Sequence, residues 1–355
     1  MKTRAESPAR PVAAATKRRS RFRSRPAGVA AVLSVANLVL FLTAAAVSDY
    51  PLTLPGVARV LLGGGTRIEN AVVLDAQLPR ALTAALVGFA LGLAGALTQS
   101  ITRNRLATPD LLGITGGASV GAVLVITLVP AAQDHGAAVP VPVGSLFGAA
   151  ASTIVMYLLA WRRGINPIRL VIVGLGLTWT TQAIVSLLLT RASITDAARA
   201  QQWIVGSVDA ATWDALWPLG AIVAFAVVLV PAAVNRRLSV AALGEQLAGG
   251  LGMRVSVTYT WILLLAVALA AFSVAAAGPI AFIALLAPPI AMALTGAPTP
   301  PPIASGLVGC ALILAADLLT RTLLPAGLPV GVTTAGVGGP VLVCLMIRTT
   351  RKATV

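Results

Sequence analysis

Residues 80–101, RALTAALVGFALGLAGALTQSI, decide the fold of this chain. After a single arginine they run to Ile101 without another charge. A bilayer core about 30 Å thick is crossed by roughly 20 apolar helical residues, so the stretch reads as a membrane span. The same ruler marks further spans near 28–48, 114–130, 141–160, 168–190, 215–234, 256–276, 279–295, 303–323 and 329–347. Ten spans in a chain of 355 residues, 57% hydrophobic and 10% charged, predict an all-α polytopic membrane protein. Within 80–101, Gly88, Gly92 and Ala96 recur every fourth residue, a stripe that lets a second helix backbone approach closely.

A net charge of +15 invites a nucleic-acid reading, which the placement of the charges removes. With the N-terminus inside and spans alternating, 20 of the 26 basic residues fall inside. Only Arg59, Arg67, Arg80, Arg191, Arg199 and Arg321 fall outside. Such a bias is the signature of membrane orientation, with both termini in the cytoplasm. Acids lean the other way: Asp49, Glu69, Asp75, Asp134, Asp196, Asp209, Asp214 and Asp317 lie at the outer side. The charge reports topology and attraction to an anionic membrane surface, and no nucleic acid is expected as a partner.

Residues 1–27 offer little to bury and read as a disordered basic tail in the cytoplasm. A membrane domain over 28–348 follows, then a short cytoplasmic tail, 349–355. The first apolar run ends in Ala44-Ala45-Ala46, but it is longer than a signal-peptide core and is taken as an uncleaved span. Two outer loops stand out. LTLPGVARVLLGG at 52–64 predicts a short interfacial helix, and Trp203, Trp213 and Trp217 predict headgroup-level anchors. GVGGP at 336–340 predicts a break or kink in the last span.

Chemistry is scarce. Asp317 is the only acid within a predicted span, and Arg321 follows it at i,i+4, where the two can pair. The single histidine, His135, lies in an outer loop beside Asp134; with two cysteines in apolar spans, no metal or haem site and no cofactor is expected. No phosphate-binding G-x-x-x-x-G-K-[ST] occurs, and GITGGASVG at 113–121 lacks both the lysine and a preceding strand. The chain therefore predicts no enzyme, and any ATP must be hydrolysed by another polypeptide. The inner loop NRRLSVAALGEQLAGGLGMRV, 235–255, reads as short helices joined by glycine and is the candidate contact.

Several segments resemble the FecCD family of ABC-importer permeases, which serve ferric siderophores, haem and cobalamin. They are LPRALTAALVGFALGLAGALTQSITRNRLATPDLLGITGGASVG (78–121), ALGEQLAGGLGM (242–253), GPIAFIALLAPPIA (278–291) and AADLLTRTLLPAGLPVGVTTAGVGGPVLVCLM (315–346). The resemblance runs in order through nearly all of 28–348. It implies a ten-helix permease paired with a second copy or paralogue, two cytoplasmic ATP-binding subunits and an extracytoplasmic substrate-binding lipoprotein. It further implies that Arg80 and Arg321 meet acids of the binding protein, and that Leu243, Gly244, Glu245, Leu251 and Gly252 form the ATPase coupling loop. A path between two permeases would be lined by Thr178, Thr181, Thr333 and Thr334 of spans five and ten.

Some positions depart from the family. Gln77 stands where an arginine is common, Arg105 replaces the proline of N-P-L-A, and Pro289 and Met292 replace a histidine and an arginine. The loop GAPTPPP at 296–302 is uncharged, and Asn166-Pro167-Ile168 replace gating hydroxyl residues. The leading function is import of a ferric siderophore or related iron chelate. The alternatives are haem or cobalamin, or a proton-coupled secondary transporter, for which Asp317 is the one available carboxylate.

Overall fold

The structure, a computed structural model, describes residues 12–47, 54–128, 140–160, 167–209, 211–325 and 327–353. Asp49, Asp134, His135 and Asn166, singled out above, lie outside the described residues. In chain order the helices are α1 (Val12–Ala46), α2 (Leu54–Leu61), α3 (Arg67–Asn70), α4 (Leu78–Thr102), α5 (Ile114–Leu128), α6 (Val141–Ala160), α7 (Pro167–Arg191), α8 (Ile194–Val205), α9 (Trp213–Leu229), α10 (Asn235–Ala241), α11 (Glu245–Gly250), α12 (Val255–Ala277), α13 (Ile283–Thr295), α14 (Pro302–Leu323) and α15 (Val330–Ala353). No strand occurs among the described residues. Seven helical stretches are long and apolar enough to cross a bilayer, and three shorter apolar helices occupy the remaining predicted spans. The first helix begins at Val12, inside the stretch read as a disordered tail; its Ala- and Arg-rich sequence has high helix propensity.

Contacts between the second and ninth spans make the centre. Helix α4 is the hub, buried over most of its length and packed on α14, α12 and α13. The small-residue stripe does what its spacing predicts. A Cβ on Gly88 would meet the backbone of Gly309 and Cys310, one on Gly92 the carbonyl of Ser305, and one on Gly95 the carbonyl of Ala284. A second crossing of the same kind joins α5 to α6 through Gly117, Gly121, Gly144 and Gly148, with Ser152 Oγ donating to Gly113 O at 2.7 Å. Replacing Gly309 with Leu is expected to force α4 and α14 apart at a cost of about 1–3 kcal/mol or more. Gly339→Leu, which meets nothing within 4 Å, is the matched control. Melting of the detergent-solubilised variants checks this, and equal melting temperatures would contradict it.

Prolines shape the ends of the spans. Pro79 and Pro231 each adjoin or sit in a π-helical turn, Ala71–Gln77 and Val230–Val234, where the wider turn relieves the clash of the ring with the preceding carbonyl. Span eight, expected over 279–295, is helical only from Ile283. Gly278 and Phe282 both have left-handed φ, 68° in each case, and Pro279 disfavours helix at the residue before it. The Pro288-Pro289 pair leaves the carbonyls of Ala284 and Leu285 without their helical N–H donors. Gln99 Nε2 supplies a donor instead, at 3.5 and 3.2 Å.

The last span is not broken. Helix α15 runs through Pro340, and the glycines of GVGGP serve another purpose: a Cβ on Gly338 would strike the Phe282 side chain, so glycine lets α15 pass the strained turn. The predicted interfacial helix is present as α2, with Val57 and Val60 buried against Ala45 and Val73. Trp217 is largely exposed, as a lipid-facing anchor requires, whereas Trp213 donates to Leu74 O at 3.2 Å.

Candidate functional site

Three places were marked by the sequence, and the structure treats each differently. At the end assigned to the outside, α14 carries Asp317 and Arg321 one turn apart, and the first turn of α4 brings Arg80 to the same point. Asp317 is fully buried. Arg80 donates to its Oδ1 through Nε at 3.1 Å and Nη2 at 2.7 Å, and Arg321 Nη2 lies 2.8 Å from its Oδ2. Arg80 also pairs with Asp209, on the turn after α8, at 2.5 Å. Arg321 donates further to Ala44 O at 2.8 Å and Val47 O at 2.6 Å, capping the C-terminus of α1, where a cation is favoured.

The pair anticipated between Asp317 and Arg321 is therefore present, and Arg80 joins it. Both arginine side chains are mostly covered, 19% and 13% exposed, so neither projects freely from the outer surface. Gln77 finds its reason here as well. Its Oε1 accepts from Arg321 Nη1 at 2.8 Å, where an arginine would add a third cation to one carboxylate. Asp209 was read only as an outer acid; nothing in its local sequence ties it to Arg80, 129 positions earlier.

At the opposite end, the loop 235–254 forms a helical hairpin of α10 and α11. Gly244 and Gly252 make its turns, with φ of 111° and 83°, in open space. Ala248 and Met253 anchor the hairpin to the body. Leu243, Leu247 and Leu251, each more than half exposed, recur at every fourth position along the hairpin. Exposed leucines grouped in this way mark a contact surface. Leu247 was missed by the sequence reading, since which face of α11 turns outward depends on where Ala248 packs. Nearby, Thr115 Oγ1 donates to Asp110 Oδ1 at 2.5 Å. Burial pushes the Asp110 carboxyl above the usual range, and this hydrogen bond partly offsets the shift.

The four threonines assigned to a path do not share one surface. Thr181, Thr333 and Thr334 are buried within the subunit. Thr181 Oγ1 bonds Leu177 O and Thr178 O, Thr333 bonds the Thr320 hydroxyl at 2.7 Å, and Thr334 bonds Gly331 O. Only Thr178 is exposed, beside Trp179 and Thr180 on α7. A β-branched hydroxyl on a helix bonds readily to the preceding turn, which is why threonine alone is weak evidence for a polar channel.

The molecule is a bundle of helices long and apolar enough to cross a membrane, with a buried ionic knot at one end and a hairpin bearing exposed leucines at the other. The chain belongs to the FecCD transport family, which matches residues 36–348; this is a family of transport permeases and not of enzymes. Among its relatives is the ferric enterobactin transport system permease protein FepG of Escherichia coli, 37% identical over 83% of this chain and 88% of that one. The probable siderophore transport system permease protein YfhA of Bacillus subtilis is 34% identical over 82% and 86%. The iron(3+)-hydroxamate import system permease protein FhuG of Bacillus subtilis is 37% identical over 82% and 88%. The fold is shared with a solved metal-chelate type ABC transporter in an inward-facing conformation, at a TM-score of 0.75 and 23% identity over 91% of this chain and 99% of that one.

Proposed function

We propose that this permease carries a ferric siderophore or related iron chelate inward across the cytoplasmic membrane, with a second permease copy or paralogue, two ATP-binding subunits and an extracytoplasmic binding lipoprotein. The observation that carries this reading is the match over 36–348, in a family whose similar members are named for siderophore and ferric hydroxamate import. The exposed leucines on the hairpin support an ATPase contact, because the chain has no phosphate-binding motif of its own. Both termini lie in the cytoplasm on this reading, as the basic bias requires. Arg80 and Arg321 serve the binding protein through the edge of the cluster that Arg80 shares with the half-exposed Asp209.

The test is reconstitution in proteoliposomes with the ATP-binding and binding-protein subunits of the same system. Uptake of labelled ferric siderophore should require ATP and all components, and haem or cobalamin should not compete. Uptake driven by a proton gradient without the ATP-binding subunit would reverse the assignment in favour of a secondary transporter. The purified chain alone is expected to show no ATP hydrolysis above a buffer blank; measurable turnover would contradict the proposal directly.

A further inference from the structure

Three ion pairs gather at the outer end. At the inner end, Arg103, Arg105, Arg236, Arg237 and Arg254 lie on or near the hairpin, and among the described residues none of these five pairs with a carboxylate. Arg103 Nη2 reaches only neutral oxygens, Ala241 O at 3.0 Å and Tyr259 Oη at 3.5 Å. The orientation bias explains why arginines gather on this side. It does not explain why two of them line a concavity.

That concavity is a groove of about 490 Å³ between the C-terminal turn of α4, helix α10 and the loop 297–301. Arg103 and Arg105 line it together with Ser100, Ser239 and Thr299, and Ser100 and Ser239 donate their hydroxyls to Ala96 O and Asn235 O of their own helices. Pro298, Pro300 and Pro301 also line it, stiff and without N–H donors. The 22-residue helix α14 starts beside these prolines, and its N-terminus adds positive potential. A second hollow, about 380 Å³, lies between Arg103 and Leu243–Leu247 of the hairpin. Arg103 lines both, so the groove adjoins the part of the hairpin that carries Leu243 and Leu247.

We propose that this groove is a second docking site for the ATP-binding subunit, which inserts an acidic segment whose carboxylates are taken by Arg103 and Arg105. Guanidinium groups bind carboxylates in paired, planar contacts and are less strongly hydrated than ammonium groups, so they suit a protein interface. The hairpin leucines supply apolar contact, and the groove supplies charge that sets orientation and association rate. The assignment rests on reading the hairpin as the ATPase contact, and the test separates the two.

The permease is embedded in nanodiscs, and its association with the ATP-binding subunit is measured across a range of salt for Arg105→Glu, Arg105→Ala and Leu247→Asp. Arg105 is exposed in a loop and makes no hydrogen bond with the described residues, so both of its variants should retain the fold. Arg105→Glu should weaken association by roughly tenfold or more and flatten its salt dependence, with Arg105→Ala intermediate. Crosslinking from Arg105→Cys, in a Cys344→Ser background, should map to an Asp- or Glu-rich segment of the partner. Loss of assembly in Leu247→Asp alone, with both Arg105 variants binding as the native chain does, would overturn the groove and leave the hairpin standing. Native binding by all three would overturn both. Unchanged assembly combined with lost stabilisation by anionic lipid in Arg105→Glu would mean the groove takes a lipid phosphate instead, which also overturns the proposal.

Discussion

Asp317→Asn should be among the most destabilising single changes in this protein, because it strips the shared counter-charge from two mostly covered arginines. Arg80 would retain Asp209, which is partly exposed, but Arg321 would keep only neutral oxygens from Ala44, Val47 and Gln77. Removing one partner of a buried ion pair costs about 3–5 kcal/mol, mostly as the penalty for the charge left behind. The effect should be read as melting of the purified permease and as its level in the membrane. The double variant Asp317→Asn, Arg321→Gln should recover part of the loss, since it removes the stranded cation as well. A native melting temperature for Asp317→Asn would mean that the cluster is hydrated and holds nothing together. The same geometry changes what Arg80 can be used to test. From sequence, Arg80 beside Pro79 stands at a helix start where Glu should be tolerated. In the fold, Arg80→Glu would place three carboxylates together, so Arg80→Gln with stability measured alongside is the usable probe of binding-protein docking.

The second large effect is expected on coupling. Gly244 and Gly252 hold left-handed backbone angles in open space, so a side chain there clashes with nothing. The penalty comes from the backbone alone, about 1–3 kcal/mol for a residue forced into that region and most severe for a β-branched one. The double variant Gly244→Val, Gly252→Val should therefore re-aim the hairpin without disturbing the membrane body. ATP-driven uptake in proteoliposomes should fall by about tenfold or more, while the amount of permease in the membrane stays near native. Gly249→Ala is the control: it is helical, exposed and unobstructed, and Ala is the better helix former. Normal uptake in the double Val variant would make the hairpin a passive connector.

How much of the site was legible in sequence follows from the range of each interaction. The hairpin at 235–254 was readable because its signal is local: glycines at turns flank short helical segments, and the leucines sit in the same dozen residues. The outward leucines were only partly readable, and Leu247 was missed, because burial of Ala248 fixes the face. The Asp317–Arg321 pair was legible at i,i+4. Its extension to Arg80 and Asp209 was not, since it joins residues on three separate elements. The partners of the path threonines within the subunit were not readable for a related reason. Hydroxyl content is visible in a sequence, but whether Thr333 faces a channel or Thr320 depends on how α15 is rotated against α14.

Sequence alone determined the class of protein and the approximate position of its apolar spans, because those depend on apolar length and on composition, which no packing arrangement alters. It also marked the close helix crossing at Gly88 and Gly92, since only missing side chains allow such contact. Tertiary structure decided what the special residues do. Pro289 read only as a departure from the family, yet with Pro288 it leaves carbonyls to which Gln99 from α4 supplies a donor. Gly338 read as part of a helix break, yet α15 is continuous and the glycine makes room for Phe282. Gln77 read as a missing cation, yet it is the acceptor that Arg321 requires. In each case the partner lies far away in the chain, and hydrogen-bond satisfaction and steric exclusion act between atoms that only folding brings together.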